Sequence, residues 1–153
     1  MSLKDPTLVE EPLTKQIIGA FFYVYNTLRH GFLETVYANA MEVVLTRSGH
    51  RVAREVKVPV WFENQTIGYH RLDMLVDDRV VVEFKSTDRL PDIAERQLRS
   101  YLKATKLEVG LILHFGLKAE VRRVRSGSVR DRSANHSMVD SSDPRNPNDP
   151  ASS

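Results

Sequence analysis

The stretch Arg71-Leu-Asp-Met-Leu-Val-Asp-Asp-Arg-Val-Val-Val-Glu-Phe-Lys85 decides the fold of this chain. Two short apolar runs flank the acidic pair Asp77-Asp78, a pattern typical of two strands joined by a tight polar turn. If the strands pair through that turn, Asp73 and Glu83 come close together. Carboxylates on an otherwise apolar hairpin are costly for folding unless a partner or a metal compensates them. The stretch therefore predicts a functional site as well as a pair of strands.

Strand side chains alternate between two faces, and this alternation predicts which residues share a face. Asp73 is expected on one face of the first strand, with Leu72, Met74 and Val76 on the other. By the same rule His70, three residues before Asp73, falls on the face opposite to it. We therefore interpret His70 as a packing or hydrogen-bonding residue rather than a ligand.

The chemistry that Asp73, Glu83 and Lys85 suggest is a metal site that cleaves phosphodiesters. Carboxylate oxygens suit Mg²⁺ or Mn²⁺, which take few carboxylates and keep several waters. The backbone carbonyl of Phe84 is a further candidate ligand, and Lys85 could orient a water or stabilise charge on a phosphate. The alternative is a charged edge strand with a cross-strand ion pair, because charged residues commonly protect strand edges.

Length and composition indicate one domain and are compatible with a reducing cytosol. The 153 residues include no cysteine, which excludes disulfides and thiolate metal sites, and the formal net charge is only +2. The N-terminus lacks the apolar run of a signal peptide, and no stretch has the length of a membrane span. We expect a soluble, cytoplasmic protein with no membrane partner. The mild basic bias is compatible with nucleic acid as a partner.

Hydrophobic periodicity predicts the order α, α, β, β, β, α, β, β. The expected elements are helices 13–29 and 33–48, strands 51–62, 66–76 and 79–85, a helix from 91 to 105, and strands 108–115 and 119–124. The second helix is expected to direct Val36, Ala40, Val43 and Val44 toward the core. We divide the chain into an extension (1–12), a folded domain (13–125) and a disordered polar tail (126–153), whose composition is too polar to offset the entropy of ordering.

Two further pairs lie at helical spacing. Glu34 and Tyr37 share a helix face at i and i+3, although a glutamate in the first turn is also favoured by the helix dipole. Gln97 and Tyr101 share a face at i and i+4, where they could bond a phosphate or a catalytic water beside Lys85. The alternative for this pair is a surface amide next to a half-buried aromatic ring.

Together these motifs resemble the GxxExxY proteins, a bacterial and archaeal group placed in the PD-(D/E)XK nuclease-like superfamily. The resemblance runs from about Leu13 to Val124. It rests on Gly31-Phe-Leu-Glu34-Thr-Val-Tyr37, Tyr69-His-Arg-Leu-Asp73-Met-Leu-Val, Val81-Val-Glu83-Phe-Lys85, Gln97-Leu-Arg-Ser-Tyr101-Leu and Val109-Gly-Leu-Ile-Leu-His-Phe-Gly116. The chain departs from the pattern at two positions. Leu72 precedes Asp73 where the superfamily typically has proline, and His114 stands where we expect asparagine, away from the proposed metal residues.

The resemblance implies an α/β (α+β) fold with a restriction-endonuclease-like core of order αβββαβ, in which helices flank a central mixed sheet. It also implies site roles. Asp73 and Glu83 correspond to the metal carboxylates, Glu34 to the acidic residue of the first helix that completes the metal site, and Lys85 to the motif lysine. Gln97 and Tyr101 resemble the Gln-x-x-x-Tyr element of RecB-type nucleases.

The function implied is Mg²⁺- or Mn²⁺-dependent hydrolysis of nucleic acid, with DNA the expected polymer. The alternative is a nuclease-fold module that binds nucleic acid or protein with little or no catalysis, because a fold does not fix a function. A third hypothesis is a small assembly factor that forms a homodimer through its N-terminal helices. The chain carries no obvious specificity module, so an unidentified targeting partner is a further expectation.

Overall fold

The computed structural model describes residues 10–127, and its elements follow the predicted order. The helices are α1 (Glu11–Leu28), α2 (Glu34–Arg47) and α3 (Ala94–Thr105). The strands are β1 (Val52–Phe62), β2 (Gln65–Val76), β3 (Val80–Lys85), β4 (Val109–Phe115) and β5 (Ala119–Arg125). The expected extension and polar tail lie outside the described residues, apart from positions 10–12 and 126–127.

The five strands form one mixed sheet in the order β1-β2-β3-β4-β5. Neighbouring strands are antiparallel except for β3 and β4, which are parallel and are connected by α3. A parallel connection needs a crossover of this kind, because a tight turn can join only antiparallel strands. The predicted fold class, a central mixed sheet flanked by helices, is confirmed.

The core consists of two layers, one on each face of the sheet. Helices α1 and α2 cover one face, where Phe21, Met41, Val82 and Phe115 belong to the larger cluster of buried side chains. Helix α3 covers the other face and buries Leu98 and Leu102 with side chains of β2, β3, β4 and β5. Strand β4 is buried along its whole length because it lies between these two layers.

Helix α2 buries the expected face only in part, since Ala40 and Val44 are partly buried and pack against the larger cluster as predicted. Val36 and Val43 were also predicted to face the core, and this was wrong, because these residues are 37% and 60% exposed. The buried stripe is Tyr37, Met41 and Leu45 at i, i+4 and i+8. Both stripes have helical spacing, and the one with the larger side chains is buried because it removes more apolar surface from water.

The predicted start of the third helix was also wrong. Pro91 does not open α3, because residues 91–93 form a turn in which the backbone N–H of Ala94 donates to the carbonyl of Pro91 at 3.0 Å. Regular helix begins at Ala94. The other boundaries agree with the expected ones within about two residues.

Strand β2 changes face at Asp73. Met74 and Val76 pack in the layer of α1 and α2, whereas Leu72 packs in the layer of α3. The prediction that Leu72, Met74 and Val76 share a face was therefore wrong. Strict alternation would place all three on one side, so the strand must twist locally where Asp73 lies.

Strand β1 makes the same change at the neighbouring position. Val52 packs in the layer of α1 and α2, and Val56 packs in the layer of α3. Between them Glu55 has a φ of 51°, the left-handed conformation, which costs a residue with a Cβ about 1–2 kcal/mol. The flanking pairs, Arg54 with Met74 and Val56 with Leu72, place Glu55 opposite Asp73. The side chains of β1 and β2 thus change face at paired positions, Glu55 and Asp73.

Candidate functional site

The candidate site lies where β2 and β3 separate. Their ladder includes the pair between Met74 and Val82, and the next two residues, Asp73 and Glu83, do not continue it. Instead, the Asp73 carboxylate accepts a hydrogen bond from the backbone N–H of Phe84 at 2.9 Å. The Glu83 carboxylate accepts one from the backbone N–H of Asp73 at 3.3 Å. The two acids therefore take the place of ladder bonds and are held close to each other by the backbone.

Glu83 has a strongly perturbed environment. Its side chain is buried, with 8% of its surface exposed. Burial, followed by the charge of Asp73, raises the pKa of Glu83 from 4.5 to about 9, although the positive charge of Lys85 acts in the opposite direction. A buried carboxyl beside a second carboxylate disfavours its ionised form. The positive charge of Lys85 thus does not offset burial and the charge of Asp73, and a bound cation would favour the ionised form further.

Glu34 reaches the same region from α2, of which it is the first residue. A cavity of about 160 Å³ opens between α2 and the sheet, and Glu34, Asp73 and Phe84 are three of its lining residues. The others are Thr35, Ala38, Arg54 and Glu55. Glu34, expected at the site from sequence, thus shares a cavity with Asp73.

Tyr37, three residues after Glu34 on α2, contacts the loop that leads into this helix. The Tyr37 hydroxyl donates a hydrogen bond to the carbonyl of Arg29 and accepts one from the backbone N–H of Phe32 at 3.2 Å. Its ring stacks on Phe115, with centroids 4.0 Å apart. These contacts fix the loop before α2 to the core. Tyr37 is therefore a positioning residue for the start of the helix.

On the other face of the sheet, Tyr101 of α3 completes the surroundings of the acid pair. Burial raises its pKa, and the charges of Glu83 and Asp73 raise it further. Gln97, one turn earlier on the same helix, is exposed. The His70 ring lies 4.4 Å from the Tyr101 ring, between centroids. The change of face at Asp73 explains why His70 packs on the α3 side of the sheet.

His114 lies nearer to the site than we expected from sequence. It is paired in register with Lys85 across the parallel strands, and only 3% of its surface is exposed. Its Nε2 atom is hydrogen-bonded to the carbonyl oxygen of Thr87, and its Nδ1 atom lies 3.7 Å from the Glu120 carboxylate. His114 therefore ties the segment that follows Lys85 to β4.

Sequence reasoning missed two charged residues of the cavity that Glu34 and Asp73 line, Arg54 and Glu55. Arg54 donates hydrogen bonds to Glu42 and Asn39 of α2, each at 2.9 Å, and so fastens β1 to the helix beside the cavity. Glu55 lies opposite Asp73 because an irregularity at Val60 and Trp61 shifts the register, and simple pairing outward from the turn would have placed Glu55 opposite Leu72. Its left-handed backbone has no signal in the sequence, because glutamate rarely adopts that conformation.

The residues present fit a hard divalent cation. Within the described range, 10–127, no group of three or more histidine, aspartate or glutamate side chains is close enough to hold a metal ion. Mg²⁺, however, is usually bound through one or two carboxylates and keeps several of its waters. Asp73 and Glu83 supply such a pair, and a cation beside them would favour the ionised form of Glu83, which burial and the charge of Asp73 disfavour.

Comparisons with known proteins agree with this architecture. Residues 11–124 match the PD-(D/E)XK nuclease superfamily. The fold is also similar to a solved structure described as "Crystal structure of SSO0001", with a TM-score of 0.52 and 16% sequence identity. That similarity covers 85% of this chain and 66% of the other, and at this identity it shows the fold alone. No curated protein matches the chain. Among residues 10–127, no helix is long and apolar enough to cross a membrane.

Proposed function

Because the chain belongs to the PD-(D/E)XK nuclease superfamily, we propose that it hydrolyses phosphodiester bonds of nucleic acid, DNA in the first instance, with Mg²⁺ or Mn²⁺. The observation that carries this proposal is the meeting of Asp73 and Glu83 where β2 and β3 separate. A structural ion pair would join a carboxylate to a cationic side chain, whereas this position brings two carboxyl groups together. Assignment to the GxxExxY group and a cytoplasmic location belong to the same proposal.

In the proposed site, Asp73, Glu83 and the backbone carbonyl of Phe84 hold the cation, and Glu34 joins them directly or through a water. When bound, the cation would lower the pKa of a coordinated water and offset negative charge on the phosphate. Glu34 suits the indirect role because it lies at the start of α2, on the cavity that Asp73 also lines. Tyr37 supports it by holding the preceding loop.

The remaining residues act on the water and on the phosphate. Lys85 is half-buried at the end of β3, close enough to Glu83 to lower its pKa, and is assigned to orient the attacking water and offset developing charge. The Tyr101 hydroxyl, whose pKa burial raises above its ordinary value of 10, is protonated near neutral pH and can donate a hydrogen bond. Gln97, exposed one turn away, is assigned to contact the substrate.

A second candidate function is a nuclease-fold module that binds nucleic acid or protein with little or no catalysis. One observation favours it, namely the lack, among residues 10–127, of three histidine or acidic side chains grouped around a metal position. The two candidates differ in a simple respect. Salt-dependent binding of DNA that is indifferent to Mg²⁺ supports the module, whereas Mg²⁺ affinity that depends on Asp73 supports the nuclease.

The test is cleavage of linear, circular and single-stranded DNA, and of RNA, with Mg²⁺ and with Mn²⁺. Asp73→Ala, Glu83→Ala and Lys85→Ala are each expected to abolish cleavage while the protein stays folded by circular dichroism. Glu108→Ala and Lys103→Ala, which remove exposed charges of the same kinds, are the matched controls and should cleave like the wild type. A fully active Glu83→Ala protein would refute the proposal.

A further inference from the structure

The two-stranded arm formed by residues 56–72 of β1 and β2 extends beyond the candidate site. Within the described chain, β3 pairs with β2 only between residues 74 and 76, so the arm pairs only with itself. Its ladder runs from the pair of Val56 with Leu72 to the pair of Phe62 with Gln65. An isolated two-stranded hairpin is marginally stable in water, so the arm needs contacts on at least one face.

One face of the arm has such contacts. Val56 and Val58 pack with the cluster under α3, and His70, which is opposite Val58, lies against Tyr101. This contact holds the base of the arm close to the acid pair, because Tyr101 lies near enough to Glu83 and Asp73 for their charges to raise its pKa. The arm is a defined extension of the site.

The rest of the arm exposes an unusual amount of aromatic and apolar surface. Trp61, Phe62, Ile67 and Tyr69 are between 59% and 63% exposed. Contiguous apolar patches on soluble proteins commonly mark interaction sites. Here the large side chains come from both strands of one hairpin, so a single ligand can contact several of them.

Cations lie between this aromatic tip and the acid pair. Lys57 stands over the ring of Tyr69, with its ammonium 4.1 Å from the ring centroid, and it is directly opposite Arg71. Both cations are exposed, and Arg71 is two residues from Asp73. Aromatic platforms interleaved with cations are the combination that binds single-stranded nucleic acid, because bases stack on rings while phosphates contact the charges.

We propose that the arm binds an unpaired segment of the nucleic acid substrate, stacking its bases on the exposed aromatic rings and leading its phosphates past Lys57 and Arg71 toward Asp73. The inference rests on the proposed function and narrows its substrate to nucleic acid with a single-stranded part. A second copy of the chain, paired with the arm edge to edge, fits this surface less well. Pro59 lies on the edge strand β1 and lacks the N–H that edge-to-edge pairing between copies requires.

Trp61 makes the test specific, because it is the only tryptophan of the chain. The full-length protein is titrated in EDTA with a short oligothymidylate, with the matching oligouridylate and with a blunt duplex, and Trp61 fluorescence is recorded beside the anisotropy of labelled nucleic acid. Both single strands are expected to quench Trp61 in parallel with binding and to bind more tightly than the duplex.

Variants identify the contacts. Tyr69→Ala should weaken single-strand binding by about tenfold, the effect of removing one stacking platform. Lys57→Ala/Arg71→Ala should make the dependence of log affinity on log salt shallower by about 1.4, since each neutralised phosphate of a single strand contributes about 0.7. The control, Lys15→Ala/Arg47→Ala, removes two exposed cations from α1 and α2 and should leave both values unchanged.

Three outcomes would overturn the inference: binding with no change in Trp61 fluorescence, arm variants that bind like the wild type, or Trp61 fluorescence that follows protein concentration rather than nucleic acid. Cleavage with Mg²⁺ is measured on the same proteins. If cleavage persists and depends on Glu83 while the arm variants bind normally, only the role of the arm fails. If the wild type neither binds nor cleaves any polymer, the proposed function fails as well.

Discussion

Replacing Glu83 with glutamine is expected to stabilise the metal-free protein although it removes a proposed metal ligand. The pKa of Glu83 is about 9 in the folded protein against an ordinary value of 4.5, so the folded state keeps a proton that the unfolded state releases. Its contribution to stability is therefore complete at acid pH and is lost as pH rises toward 9. At about 1.4 kcal/mol for each pH unit, the loss by neutral pH is roughly 3 kcal/mol.

Glutamine cannot ionise, so Glu83→Gln should avoid this loss. The melting temperature in EDTA near neutral pH should rise by roughly 6–12 °C for a domain of this size, and the gain should disappear near pH 4. Added Mg²⁺ should raise the melting temperature of the wild type but not of the variant. Glu108→Gln, at an exposed position, is the matched control. A variant that melts at or below the wild type in EDTA at neutral pH would refute the reasoning.

Two further predictions concern the supports of the site. Burial acts to raise the pKa of Asp77, but hydrogen bonds from His50 and from the backbone N–H of Arg51 hold it below its ordinary value of 3.8. The stability that the ionised Asp77 contributes is present above that value and lost as pH falls. Asp77→Asn should therefore lower the free energy of unfolding in urea by about 1–3 kcal/mol at neutral pH. An equal loss at neutral pH and near pH 2 would contradict this. Tyr37→Phe keeps the stacked ring but loses both hydroxyl bonds, which should cost about 1–2 kcal/mol and reduce Mg²⁺-dependent cleavage. Tyr23→Phe, at an exposed ring, is the control, and a Tyr37→Phe protein with wild-type cleavage would show that the loop does not position Glu34.

Much of the fold follows from local patterns in the sequence. Strand β4 was predictable because its run of apolar residues is short, continuous and buried on both sides. Asp73 and Glu83 could be brought together from sequence because the register of a tight turn fixes which residues are opposite each other. The buried stripe of α2 could not be predicted in the same way, because the apolar stripe that contains Val43 and the one that contains Met41 both have helical spacing.

The change of face at Glu55 and Asp73 was beyond local reasoning. Alternation assumes a regular strand, and nothing in the residue types indicates that Glu55 adopts a positive φ. The consequence reached further than one residue, because Leu72 and His70, on the arm side of Asp73, both lie on the opposite face from that expected. His70 therefore meets Tyr101, a contact that the sequence pattern argued against.

The most direct test of the central claim, that Asp73 and Glu83 form a metal site, is a Mn²⁺ titration followed by electron paramagnetic resonance of the free ion. The wild type is predicted to bind Mn²⁺, with competition by Mg²⁺, and Asp73→Ala is predicted to lose that binding while the Glu108→Ala control retains it. Mn²⁺ binding that survives unchanged in Asp73→Ala, or a folded wild type that binds no Mn²⁺, would contradict the account.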